Sequence, residues 1–149
     1  MKTETILAIL ALLFSAINIV FYVLLTIKCN AMSKTQMLTA QGALEAQIRS
    51  LISNATKELT HYAVSLEKEP DSNVLQQSFL VAEESYRNAY EEACSKYIDG
   101  KVDKGRFEKS YKQEIYKLIN NNDQKKFYAT NQSTYNATLA VYKEWYGQA

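Results

Sequence analysis

The chain has one proline, four glycines, one histidine and two cysteines in 149 residues. Gly and Pro punctuate strands and tight turns. Their scarcity, with apolar residues recurring at spacings of three and four, predicts long helices and no sheet. A single histidine, His61, gives neither cysteine a base at a motif spacing, and no glycine-rich phosphate loop occurs, so no catalytic residue is assigned. Cys29 and Cys94 form neither a disulfide framework nor a metal-ligand pair. No metal, no cofactor and no small-molecule substrate is therefore expected. Seventeen basic residues nearly balance sixteen acidic ones, and no run of like charge tracks a phosphate backbone, which argues against nucleic acid as a partner.

What the sequence does contain is one long apolar run. Residues Ile6–Ile27, ILAILALLFSAINIVFYVLLTI, are 22 residues without charge, Gly or Pro, long enough to cross a bilayer as a helix. The run exceeds a signal peptide's apolar core and lacks a small-x-small site before Lys28, so a retained anchor is expected. Ala8, Ala11, Ser15, Asn18 and Tyr22 fall on one face of that helix. Small residues allow close helix approach in lipid, and an interhelical bond to an Asn contributes about 0.6–2 kcal/mol. This face is the expected intramembrane packing surface, turned towards a second copy of the chain or another membrane protein. Lys2 precedes the span while Lys28 and Lys34 follow it, which favours a cytoplasmic C-terminal domain.

Nothing obliges the helix to stop at the membrane. Met37, Gln41, Leu44, Ile48, Leu51, Ala55, Leu59, Tyr62 and Leu66 advance with a period of about 3.6 residues, in phase with the intramembrane face. The organisation expected is a short tail at 1–5, a transmembrane helix at 6–27, a helical stalk at 28–69 and a three-helix soluble domain at 70–149. Leu44, Ile48, Leu51, Ala55, Leu59 and Tyr62 form the stalk's packing face, on which that domain sits. The fold class is all-α.

Pro70 ends the stalk, and Asp71, Ser72 and Asn73 each suit an N-cap. The stripe of the next helix is Leu75, Phe79, Ala82, Tyr86, Tyr90, Ala93 and Tyr97, with Glu83–Arg87 and Glu92–Lys96 as four-residue ion pairs on its wet side. The Glu pairs at 83/84 and 91/92 read as solvated, since no Glu-x-x-His accompanies them. Gly100 stops that helix. The segment Asp99–Phe107 echoes half of a calcium loop, but Arg106 stands where calcium needs a bidentate Glu, so it is a turn whose Asp103 caps the following helix. Phe107, Tyr111, Ile115 and Leu118 form the third stripe up to the asparagines at 120–122. Residues 73–99 carry two basic and five acidic groups, 101–126 eight and four, so these two helices are expected as an antiparallel hairpin. A last helix from about Asp123 presents Phe127 or Tyr128, Asn131, Tyr135, Leu139, Tyr142 and Tyr146, with Trp145 alongside.

Tyr90-Glu91-Glu92-Ala93, Asp99-Gly100-Lys101-Val102-Asp103, Phe107 and Tyr142-Lys143-Glu144-Trp145 together resemble a pattern in uncharacterised small bacterial proteins with one N-terminal span and a helical cytoplasmic domain. That resemblance covers roughly residues 80 to 146 and implies a bacterial or phage source and a cytoplasmic domain; the bacterial inner membrane is the expected location. It carries no site residue across. The expectation is a non-enzymatic, single-pass membrane protein acting as an oligomerising, accessory or regulatory subunit of a membrane assembly, such as a defence-related system. The alternative is an outward-facing helical sensor or envelope-spanning lysis-type protein.

Overall fold

Pro70 and the turn around it separate the first helix from everything after it. In the computed structural model, which describes residues 3–129 and 133–147, the order is α1 (Thr3–Lys68), α2 (Asn73–Ile98), α3 (Lys104–Asn120), α4 (Lys125–Tyr128) and α5 (Asn136–Tyr146). Most of the described residues are helical, and none of them lies in a strand. Two compact units result, Met1–Ala40 and Gln41–Ala149, and α1 contributes to both.

Local chemistry explains each boundary in the second unit. The Ser72 hydroxyl accepts from Leu75 N at 3.4 Å and starts α2. Gly100, at φ 67°, ends α2 in the left-handed conformation, with Lys101 N donating to Lys96 O across the turn. Asp103 Oδ1 accepts from Arg106 N at 2.8 Å and opens α3. Asn121 leaves the helical region at ψ 131° and closes it.

Side-chain pairs fix the directions. Tyr90 meets Tyr111 and Glu114, whereas Tyr97 meets Phe107, so α2 and α3 run antiparallel as the sequence predicts. Glu91 reaches Thr138 and Tyr97 reaches Glu144, so α5 runs parallel to α2. Tyr116 stacks on Tyr142 and Tyr146, and Asn120 bonds Tyr142, which sets α5 antiparallel to α3. The core of this unit joins Ile48, Ile52 and Ala55 of α1 to Tyr90, Ala93 and Tyr97 of α2, Phe107, Ile115 and Leu118 of α3, and Val141 of α5.

Three sequence expectations need correction. The single helix expected from Asp123 is two, α4 and α5, separated by Ala129 and a stretch that includes non-helical Ser133–Tyr135. Asn131 lies outside the described residues. Arg87, expected on the wet side, is 4% exposed. Leu51, expected on the stalk's packing face, is 36% exposed and its neighbour Ile52 is buried instead. Successive helical residues point about 100° apart, and the surface that α1 covers lies on the Ile52 side.

Candidate functional site

The apolar segment stands alone within its unit. Every described side chain from 12 to 40 is exposed, among them Leu12, Phe14, Ile17, Phe21 and Leu24. An apolar window there, of mean hydropathy 2.0, is none of it buried, so by length and composition α1 can cross a membrane. Of the predicted packing face, Ala8 and Ala11 lie in α1, with side chains outside the described set, while Ser15, Asn18 and Tyr22 are exposed. Asn18 Nδ2 donates to Phe14 O at 2.8 Å. That bond uses one of the amide's two N–H groups and leaves its carbonyl oxygen without a partner among the described residues. Thr26 back-bonds in the same way to Tyr22 O at 2.9 Å.

The stalk face is divided between burial and exposure. Ile48 and Ala55 are buried at 3% and 7%, and Leu44, Leu59 and Tyr62 are half-buried. Glu45 ties the same helix to the start of α3, because its Oε1 accepts from Asp103 N at 3.1 Å and Arg106 Nη2 at 2.9 Å. His61 is exposed and edges Tyr62.

Two polar seams join α2 to the segments after α3, through partners that the sequence reading did not supply. Arg87 Nη1 donates to Gln124 Oε1 at 2.8 Å, its Nε donates to Tyr135 Oη at 3.2 Å, and Glu83 lies 3.9 Å away. Its guanidinium also sits 3.8 Å above the Phe127 ring, and Gln124 closes the circuit by donating to Glu83 at 2.7 Å. One buried cation thus holds α4 and the start of α5 against α2. Glu91 supplies the second seam. Its carboxylate accepts from Ala137 N at 2.7 Å, Thr138 N at 2.9 Å and Thr138 Oγ1 at 2.8 Å, capping a helix that has no side-chain cap of its own. A signal for this second face existed: Ala89 and Cys94, buried and off the first stripe, are small enough to admit another helix.

Burial sets the electrostatics. It pushes the Cys94 thiol up to about 12, against a smaller opposing bond from Thr138. Tyr90 is raised first by burial and then by the Tyr86 ring beside it, while its hydroxyl donates to Glu114 at 2.7 Å. Tyr128 is also raised by burial, and its hydroxyl has no partner among the described residues. Tyr97 Oη donates to Glu144 and accepts from Trp145 Nε1, so the aromatic stripes are joined by hydrogen bonds as well as by contact. Among the described residues no group of three or more His, Cys, Asp or Glu is placed to hold a metal ion.

No family model matches the chain, and neither the curated proteins nor the solved structures give it a significant match.

Proposed function

We propose that this is a single-pass, membrane-anchored interaction protein, an oligomerising, accessory or regulatory subunit of a membrane assembly, with its helical unit on the cytoplasmic side of a bacterial inner membrane. The observation that carries the reading is the apolar part of α1. Its side chains from 12 to 27 are all exposed, and one face of it holds Ser15, Asn18 and Tyr22. A bilayer covers the apolar side of such a helix, but the unused donor and acceptor of Asn18 gain nothing from lipid and gain from a second helix. The helical unit supports the same reading in a different way: its buried polar groups are engaged within it, joining α2 to α4 and α5, and leave its outer faces for docking.

Two measurements test the proposal. A C-terminal alkaline phosphatase fusion is expected to be inactive and a C-terminal green fluorescent protein fusion to be bright. The reverse result favours the outward-facing sensor or lysis-type reading. The mass of the full chain in nanodiscs, or of the complex it draws from native membranes, is expected to exceed one copy. A chain that washes from membranes in carbonate, or stays strictly monomeric and free of partners, removes the proposal.

A further inference from the structure

On the seam between α1 and α3, within the second unit, Glu45, Ile48 and Arg49 face Arg106, Phe107, Lys109, Ser110 and Tyr111 across a cleft of about 140 Å³. Three cations and one carboxylate line it, so three positive charges less one negative leave a surplus of two. The carboxylate is already committed. Glu45 Oε1 holds both Arg106 Nη2 at 2.9 Å and Asp103 N at 3.1 Å, and this fixes Arg106 at one end of the cleft. At the other end Arg49 and Tyr111 line the cleft together, and the Arg49 charge opposes the upward push that burial gives the Tyr111 hydroxyl. Among the described residues neither Arg49 nor Lys109 forms an ion pair.

Guanidinium groups from two helices, that of Arg106 held by Glu45, with an ammonium and the Ser110 hydroxyl, are the donors that oxyanions select, Arg most of all because its fork is planar. Ile48 and the Phe107 ring supply an apolar wall beside them. The volume is below the roughly 300 Å³ at which pockets for drug-sized ligands begin, which limits the ligand to a small group. We propose that this cleft binds a phosphate group, either as a free phosphate monoester or as the headgroup of an anionic lipid. Arg49 and Lys109 make the charge-assisted bonds, while Arg106 contributes the donors that Glu45 leaves unused. The site is independent of the packing face in the apolar segment, so either can fail without the other.

Equilibrium dialysis of the full chain in zwitterionic nanodiscs tests it, with radiolabelled inorganic phosphate in one arm and a radiolabelled short-chain phosphatidic acid in the other, at constant ionic strength. Saturable binding in the phosphate arm assigns a free oxyanion; saturation only in the lipid arm assigns a headgroup. In either case Arg49→Gln and Lys109→Gln are each expected to weaken binding about tenfold, the effect of losing one charge-assisted bond, whereas Lys57→Gln, an exposed cation outside the cleft, leaves it unchanged. Both cleft side chains are exposed, and circular dichroism checks that each variant stays folded. No saturation in either arm, or binding that survives both single substitutions, overturns the proposal.

Discussion

The carboxylate of Glu91 on α2 lies at the first turn of α5, where it accepts both the backbone N–H and the hydroxyl of Thr138, at 2.9 and 2.8 Å. A helix of eleven residues whose N-cap position, Tyr135, offers no side-chain bond depends on this borrowed cap. Glu91→Ala is expected to destabilise the helical unit by about 1–2 kcal/mol, which lowers its thermal midpoint by roughly 4–8 °C per kcal/mol. Glu91→Gln, which keeps an acceptor but loses the charge, should fall between. Thermal unfolding followed by circular dichroism measures both, and an unchanged midpoint for the Ala variant would mean that α5 is held by packing alone.

Arg87 predicts a larger effect confined to the same region. Removing it takes the counter-charge from Glu83 and the donor from Gln124 Oε1, leaving only the Gln124–Glu83 bond, and uncovers one face of the Phe127 ring. Breaking a buried charged pair from one side costs about 3–5 kcal/mol, so Arg87→Ala should loosen α4 and the start of α5. Arg87→Lys restores the charge but not the fork that reaches Gln124 and Tyr135 together, and rescues only in part. Limited proteolysis is the readout: cleavage near residues 121–135 should accelerate sharply in the Ala variant. Equal protection in wild type and variant argues that the network is ornamental.

How much of this was legible in the sequence can be judged from these two residues. The all-α class, the turn at Pro70, the Asp103 cap and the stop at Gly100 are local signals, each set by a few neighbouring residues, and they appear in the structure, where Ser72 is the cap among the three candidates Asp71, Ser72 and Asn73. Arg87 reads as solvated because a charge four residues from an opposite charge is ordinarily a surface pair, and Glu91 because no Glu-x-x-His accompanies its Glu pair. What holds Arg87 is Gln124, Phe127 and Tyr135, and what engages Glu91 is the first turn of α5; these partners lie 37 to 48 residues away, and no periodicity within α2 encodes that distance. The same holds for Leu51 and Ile52: a period of 3.6 locates the stripe to within one residue, and only the partner surface decides which neighbour is buried.

Cys94 makes the pH behaviour testable. Its folded thiol is raised from an ordinary value of 9.0 to about 12, chiefly by burial. The unfolded chain therefore loses this proton first, and the group's stabilising contribution, complete below pH 9, is withdrawn as pH rises towards 12. Tyr90 and Tyr128, also raised by burial, act in the same direction. The unit should unfold more readily above about pH 9–10, and at pH 8 iodoacetamide should modify Cys29, which is exposed, far faster than Cys94, which is buried. Comparable alkylation rates in the native protein would contradict the burial.

The contribution of α1 to the core can be measured by truncation. A chain beginning at Gln41 keeps Ile48, Ile52 and Ala55, whereas one beginning at Glu69 loses all three. Burying an Ile contributes about 1.5–3 kcal/mol, so two of them amount to a large part of a small domain's stability. The shorter chain should remain helical by circular dichroism but unfold with weak cooperativity and bind a hydrophobic dye. If both chains melt alike, the stalk residues from 41 to 68 contribute little to folding and are available to another molecule.

The last prediction bears on the proposed assembly. Asn18 donates one N–H to Phe14 O and has a second N–H and a carbonyl oxygen to offer, so a helix packed against this face gains a bond that a lipid-facing position does not. Asn18→Leu removes the bond while making the segment more apolar, and should leave membrane insertion intact or improved while the complex falls in mass. Ser15→Phe adds a bulky ring on the same face and should also break the complex. Leu13→Phe, on a side where a large apolar residue already meets the surroundings, should be silent. The contrast separates packing from general disturbance of the span, because all three variants remain apolar enough to insert. Blue native electrophoresis in mild detergent reads the outcome. If Ser15→Phe and Leu13→Phe behave alike, no specific face exists, and the helix is an anchor whose partners must be sought through the helical unit alone.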